Sequence, residues 1–324
     1  MKRKWIRRVS WILLTPVLLF VILMILLYIP PVQNLLRREV TAYASKATGM
    51  QIQVERIDLR FPLNLLVRGV EVIQQPDTLL SLESLNVRVQ AWPLVKGKVE
   101  VDEVTLSQVA FNSANLIEGM KIKGVLGRFF LQSHGVDLSN ELAVINQTEL
   151  SDTHVQMLMN DTTTTPKDTT ASAPVNWKVD LHKLKLKNVS FSMQLPADSM
   201  RMAAHIGEAF INDAQADLKN QFYELKQFLL SGSSANYDTG AAKPGEGFDA
   251  SHIAVRDIRI GLDSLLYKGR DMNAVIREFS MNERSGLSIT SLTGRAFSND
   301  SIIRIPGIKL QTPHSEIDLS AQTY

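Results

Sequence analysis

The strongest constraint on the fold is an alternation of apolar and polar residues that begins at Met50 and recurs to the end of the chain. Successive side chains of a strand point to opposite faces of its sheet, so each run predicts a strand with one apolar face. Proline, glycine and polar residues separate the runs at short intervals, which is typical of turns between strands. The pattern therefore predicts a mainly β protein. Its first strands contain the alternating apolar residues Ile52, Val54, Ile57, Leu59 and Phe61.

One apolar pattern occurs three times, as VDEVTLSQVAF (101–111), LHKLKLKNVSF (181–191) and VRDIRIGLDSL (255–265). The first two copies share five apolar positions, and the third shares four, with Asp263 breaking the pattern. The copies start 80 and 74 residues apart. That spacing is too long for a solenoid coil and favours recurring multi-strand blocks. The alternation changes parity inside each copy, for example between Leu186 and Val189, which predicts a β-bulge or a bend.

An uncharged and almost wholly apolar segment of 21 residues, 9–29, precedes the β region. As a helix it would be about 31 Å long, which matches the hydrocarbon core of a bilayer. A cleavable secretory signal usually has a shorter apolar region and a small-residue cleavage site, whereas this run ends in Tyr28-Ile29-Pro30-Pro31. A buried core helix is seldom so uniformly apolar. Residues 9–29 are therefore predicted to be an uncleaved signal anchor, a single transmembrane helix.

The charges around this segment predict its orientation. In the fifteen residues behind it, only Arg37, Arg38 and Glu39 are charged. The positive-inside rule therefore makes residues 1–8 a cytoplasmic tip and puts the body of the chain on the far side of the membrane. That body holds 30 basic and 33 acidic residues, a net charge of −3. Nucleic-acid binding needs clustered basic residues, so this balance argues against it. The topology-setting residues in front of the segment are Lys2, Arg3, Lys4, Arg7 and Arg8.

The body divides into segments of different composition. Residues 32–47 have helical spacing and precede Gly49, which predicts a short amphipathic helix, either an ordinary surface helix or one lying along the outer leaflet beside the anchor. A threonine-rich loop is predicted to be disordered, and a Ser/Gly-rich stretch is predicted to be a linker. The predicted order is a first β segment at 50–159, the loop at 160–174, a second β segment at 175–230, the linker at 231–250 and a third β segment at 251–324.

Within the second β segment, four apolar residues recur at helical spacing. They predict a local helix, although strands surround them, and the sequence leaves helix and strand equally open. These residues are Leu218, Phe222, Leu225 and Leu229.

The chain lacks the motifs that usually carry chemistry. It has no cysteine, which excludes disulfides, thiolate metal sites and cysteine nucleophiles. Its six histidines are scattered singly without metal-ligand spacing. There is neither a glycine-rich phosphate loop nor a nucleophile elbow. We therefore expect no cofactor, no metal and no enzymatic activity.

Three segments behind the basic tip and the anchor resemble TamB and the wider AsmA-like family. They are ASKATGMQI (44–52), IDLRFP (57–62) and LVRGVEV (66–72), and the blocks at 101–111 and 181–191 are similar to the repeating strands of that family. The resemblance implies an elongated β-sheet, curled lengthwise into a groove. It also implies a single-pass protein of the bacterial inner (plasma) membrane, with a cytoplasmic N-terminus and a periplasmic body.

The same resemblance implies a function in lipid transport to the outer membrane. It also implies outer-membrane protein assembly together with a barrel partner of the TamA type. Family members are usually far longer and end in a domain that meets this partner. With 324 residues, this chain is expected to be a fragment, a truncated product or a shorter relative. The expected partners are the inner-membrane bilayer, phospholipid cargo and a TamA-type barrel.

The cost of exposing lipid to water favours a groove with an apolar lining. Exposing an acyl chain of about sixteen carbons to water costs on the order of 12 kcal/mol, and an apolar furrow removes that cost along its length. About twenty strands would make a furrow of roughly 95 Å. Two other functions are a factor whose sheet edge templates an incoming strand, and a scaffold without cargo. The residues predicted to line the furrow, or alternatively to fill a closed sandwich core, are Val104, Leu106, Leu184, Leu186, Ile258 and Ile260.

Overall fold

The fold is described from a computed structural model of the 324-residue chain. The predicted cytoplasmic tip with Lys2, Arg3, Lys4, Arg7 and Arg8, residues 9–28 of the predicted anchor and the threonine-rich loop lie outside the described residues. The structure describes residues 29–60, 63–90, 92–93, 100–137, 140–159, 176–240 and 243–323.

The predicted amphipathic helix forms and is slightly longer than expected. Helix α1 spans Pro30–Thr48 and begins with two prolines, which fit the first turn because its N–H groups have no partner inside the helix. It ends at Gly49, whose φ of 69° places it in the left-handed region. The Gly49 N–H donates to the carbonyl of Ser45 at 2.9 Å, and this closes the helix as the sequence predicts.

Fifteen strands follow the helix and form one sheet. The longest strands, of 17 or 18 residues, lie in its middle, from β5 to β10. The strands are β1 (Gln51–Arg60), β2 (Asn64–Gln74), β3 (Asp77–Val89), β4 (Val101–Asn112), β5 (Met120–Asp137), β6 (Leu142–Met159), β7 (Lys178–Leu195), β8 (Met200–Asp217), β9 (Phe222–Asp238), β10 (His252–Lys268), β11 (Asp271–Glu283), β12 (Ser288–Ile289), β13 (Ser291–Ser298), β14 (Ile303–Gln311) and β15 (Glu316–Thr323).

The strands pair in the order in which they occur along the chain. Each pairs antiparallel with the next, except that β6 and β7 are parallel and the short β12 pairs only with β11. The sheet is curled and does not close on itself. The predicted mainly β fold with an elongated, curled sheet is therefore confirmed. Fourteen strands in line, spaced by 4.7–4.9 Å, give a length of about 60 Å for the described part of the chain, which is shorter than the estimate of twenty strands and 95 Å.

The structure decides the open choice between helix and strand in the second β segment in favour of a strand, and the linker predicted behind that segment begins too early. The four apolar residues at helical spacing form the turn before β9 and the first half of β9 itself, because pairing with β8 and β10 outweighs the local helical period. β9 also continues to Asp238, so the first eight residues of the predicted linker belong to a strand. The three predicted β segments are parts of one sheet.

A line of irregular backbone crosses the sheet at one level. Gln108, Asp152, Asn188 and Asp257 lie on this line with φ between 50° and 56°, and the ladder shifts register beside Asp257. This confirms the bulge or bend that the parity changes predict: the register shifts in β10, whereas at Gln108, Asp152 and Asn188 one residue is skipped and pairing resumes in the same register. Because these irregularities bend the strands and are aligned across the sheet, they form a crease and account for the curl of the sheet. The crease runs through Glu55, Gly69, Glu83, Gln108, Gly127, Asp152, Asn188, Gly207, Gly232 and Asp257.

The crease brings strands β8 and β9 into close backbone contact at Gly207. A Cβ atom at Gly207 would lie 2.5 Å from the carbonyl oxygen of Gly232, which is closer than any side chain tolerates. Gly232 itself has a φ of 59°. These two glycines therefore allow the crease to pass between β8 and β9 without breaking the ladder.

Candidate functional site

One face of the sheet carries apolar side chains in rows that run perpendicular to the strands. Residues directly opposite each other in neighbouring strands point to the same face, so the pairing register shows which side chains form a row. The first apolar row crosses eleven strands without a polar residue. It consists of Ile57, Val67, Leu85, Leu106, Phe129, Leu150, Leu186, Ala209, Leu230, Ile260 and Phe279.

A second apolar row lies beside the first and extends to the last strand. Thr148 and Gly294 are its only members without a purely apolar side chain. It consists of Leu59, Leu65, Val87, Val104, Leu131, Thr148, Leu184, Ile211, Phe228, Leu262, Ile276, Gly294, Ile308 and Leu319. We call the face that bears both rows the apolar face.

The six residues predicted to line a furrow all lie on the apolar face. Ile258 is opposite Ser233 of β9, two positions along β10 from Ile260, and is half-buried. The other five belong to the rows: Leu106, Leu186 and Ile260 to the first, and Val104 and Leu184 to the second. Residues from three strand blocks are thus brought into two adjacent lines.

The opposite face of the sheet is polar at the same level. Salt bridges link neighbouring strands on it, such as Lys185 Nζ to Glu208 Oε1 at 3.4 Å. The sheet therefore has one face suited to water and one suited to apolar material. A row of this polar face, one residue removed from the first apolar row, consists of Arg56, Arg68, Ser84, Ser107, Arg128, Ser151, Lys187, Glu208 and Ser231.

Hydroxyl groups on the apolar face are bonded to the strands themselves. Thr148 Oγ1 donates to the carbonyl of Phe130 at 3.0 Å, and Thr153 Oγ1 donates to that of Ser151 at 3.2 Å. Ser233 Oγ donates to the carbonyl of Ser231 at 3.1 Å. Because their hydrogen bonds are made within the ladder, these residues add little polarity to the face.

The apolar face has no second layer packed on it within the part of the chain that is described. Apart from sheet neighbours, the extensive contacts of the strands are those of α1 with β1. Most members of the two rows are half-buried, and no described side chain is less than 2% exposed. A sandwich core would bury them fully. The closed-sandwich alternative is therefore wrong for these strands.

A depression of about 260 Å³ lies on the apolar face between β7 and β10. Ala214 and Ala216 of β8 form its floor, because their small side chains leave room between the larger residues of β7 and β9. Tyr223 lies at its edge, with its ring centroid 6.0 Å from that of Tyr267. The apolar face is thus widened at this point and bounded by an aromatic pair with polar ends.

A polar cluster closes one rim of the sheet where β10 and β11 meet. Glu283 is 6% exposed, and Oε1 of its carboxylate accepts a hydrogen bond from the backbone N–H of Ala254 at 3.2 Å. Hydrogen bonds from the hydroxyl and the backbone N–H of Ser285 lower the pKa of Glu283 to about 2. Arg284 donates to the carbonyl of His252 at 2.8 Å. This cluster organises backbone at the rim.

Sequence reasoning identified individual apolar residues but missed the rows. A row depends on the register between strands, and each irregular residue on the crease changes the parity of the strand that contains it. The sequence does carry one signal for the rows: the parity changes at Gln108, Asn188 and Asp257 can be aligned with one another, and these three positions lie on the crease.

The described residues contain no group of three or more histidine, aspartate or glutamate side chains placed to hold a metal ion. Among the same residues, no helix is both long enough and apolar enough to cross a membrane. A comparison with known protein families finds no match for this chain, and a comparison with curated proteins finds none either.

Proposed function

We propose that the chain is a membrane-anchored, non-enzymatic conduit of the AsmA-like type, whose apolar face carries phospholipid acyl chains across the periplasm. The observation that carries this proposal is the continuity of the two apolar rows, which cross eleven and fourteen strands at one register level. An acyl chain lying on the rows keeps apolar contact at each step along the sheet.

Movement of a lipid along the two apolar rows, which we call the lane, costs less free energy than diffusion through water. Each CH₂ group removed from water contributes about 0.8 kcal/mol, so a lipid on the lane avoids most of the cost of leaving a bilayer. The open side of the curled sheet leaves room for a polar headgroup in water, as a closed core would not. The lane would be about 60 Å long.

The proposal is tested by placing a photo-crosslinking amino acid at Leu186, in the middle of the first apolar row. We expect it to capture phospholipid in cells, with the adduct identified by mass spectrometry. Lys185 is the matched control, because it is the neighbouring residue of β7 and its side chain points to the polar face. Equal lipid capture at both positions, or protein adducts alone at Leu186, would reject the conduit.

A strand-templating assembly factor is the second candidate, and the last strand favours it. All eight residues of β15 are exposed, and β15 pairs only with β14 among the described strands. An edge with unpaired backbone groups can accept an incoming strand. Photo-crosslinkers in β15 that capture nascent outer-membrane proteins, together with no lipid capture at Leu186, would favour this function over the conduit.

A further inference from the structure

Helix α1 lies along the outer edge of β1 and is held there by polar side chains. Gln33 donates to the carbonyl of Leu59 at 3.1 Å, and Arg37 donates to that of Glu55 at 2.6 Å. Further along, the backbone N–H of Ile52 donates to the hydroxyl of Ser45 at 3.0 Å. Gln33, Arg37 and Ser45 are separated by multiples of four residues and so lie on one side of the helix. These hydrogen bonds fix the rotation of α1 about its own axis.

With this rotation fixed, three apolar residues of α1 point away from the sheet as a stripe. Leu35 is 58% exposed, Val40 is 47% exposed and Tyr43 is 77% exposed. Glu39 and Lys46 are exposed beside them. Apolar residues interspersed with charged ones are typical of a helix that lies at a membrane surface rather than within the hydrocarbon core. Tyrosine is enriched at that level because its ring is apolar and its hydroxyl polar.

The neighbouring sequence identifies what covers this stripe. Residues 9–29 are 21 uncharged and almost wholly apolar residues that end where α1 begins, so no linker separates the predicted membrane span from the helix. A span of that length ends at the bilayer surface. A helix that turns along the bilayer surface as it leaves the span has this stripe next to lipid headgroups, whereas a helix that continued along the bilayer normal would carry Tyr43 about 20 Å away from them.

We infer that α1 lies flat on the bilayer surface, with Leu35, Val40 and Tyr43 among the lipid headgroups and its polar side bonded to β1. This inference rests on the proposed membrane anchoring and deepens the proposed conduit. A helix is about 10–12 Å across with its side chains, so β1 would lie about that far from the membrane surface. The first residues of the apolar rows, Ile57 and Leu59, would then be the place where an acyl chain enters the lane.

The inference is tested on the full chain reconstituted in vesicles of phosphatidylethanolamine and phosphatidylglycerol. The chain has no cysteine, so a single Tyr43→Cys substitution gives one site for an environment-sensitive fluorophore. We expect a blue-shifted emission, and a loss of emission when the vesicles contain phospholipid with a nitroxide near the glycerol. Lys187→Cys is the reference for a water-exposed label, because Lys187 is exposed on the polar face.

Two outcomes overturn the inference. A label at position 43 that is quenched by lipid no more than the label at position 187 would show that the stripe faces water. A label that is shielded from aqueous iodide but not quenched by nitroxide lipid would show that protein covers it. Neither outcome depends on cargo: lipid adducts at Leu186 with an unquenched helix label would keep the conduit and reject the docking of α1. A quenched label without lipid adducts would do the reverse.

Discussion

At the scale of single residues, the rim of the sheet depends on the Glu283 carboxylate, which binds the N–H groups of Ala254 and Ser285. Its pKa is lowered from 4.5 to about 2 in the folded chain. A lowered pKa means that the ionised carboxylate stabilises the fold fully above pH 4.5 and that this contribution is lost as the pH falls towards 2. We therefore expect Glu283→Gln to lower the free energy of unfolding at pH 7 and to have a shrinking effect below pH 4.5.

Urea unfolding followed by circular dichroism, at several pH values from 7 downwards, measures this difference. Glu278→Gln is the control, because Glu278 is an exposed residue of the same strand. A deficit of Glu283→Gln that stays constant as the pH falls would contradict the role of the charge.

The crease makes a separate prediction at Asn188, which has a φ of 53° and donates to Asp152 at 2.7 Å. Replacing it by glycine or by valine removes this hydrogen bond in both cases, so the two variants differ mainly in their tolerance of positive φ. We expect Asn188→Val to be less stable than Asn188→Gly by about 1–2 kcal/mol, the cost of left-handed backbone for a residue with a Cβ atom. The midpoints of urea unfolding measure this difference, and equal midpoints would contradict it.

At the scale of elements, α1 covers the edge of β1, and we expect this cover to keep β1 from pairing with other chains. Arg37→Ala removes the 2.6 Å hydrogen bond to the carbonyl of Glu55. A hydrogen bond contributes about 1 kcal/mol net, so we expect roughly fivefold faster hydrogen exchange at the amides of β1. Arg38→Ala is the matched control, because Arg38 is exposed on the same helix. Mass spectrometry of peptides that cover 51–60 measures the exchange, and equal rates in the two variants would refute the protection.

The elements also show how far sequence reasoning reaches. The strands were predictable because alternation is a local signal, and α1 was predictable because its apolar period and Gly49 are local too. A glycine between two alternating runs predicts a turn, yet Gly69, with a φ of 58°, lies inside the continuous strand β2. The same error shortened β9, because small residues such as Ser231 and Gly232 look like a linker until neighbouring strands pair with them.

At the scale of the whole molecule, the apolar face depends on register rather than on composition. Leu106 and Leu186 lie 80 residues apart in the sequence but in one row, and this row continues across β6 and β7, the one described pair in which the antiparallel order is interrupted. Sequence alternation predicts that each strand has an apolar side. It does not predict that the irregular residues of many strands align in one crease, and this alignment keeps the apolar sides on one face of the sheet.

A charge in the middle of the lane provides the test of that continuity. Leu186→Asp puts a carboxylate in the first apolar row, and a lipid tail passing it must lie against a group whose desolvation costs several kcal/mol. For lipid that enters beside β1, we expect adducts at a photo-crosslinker in position 260 to fall at least about tenfold, whereas adducts at position 106 persist. Lys185→Asp puts the same charge on the polar face and should leave both positions unchanged. Undiminished capture at position 260 in folded Leu186→Asp protein would mean that lipid does not pass along the apolar rows.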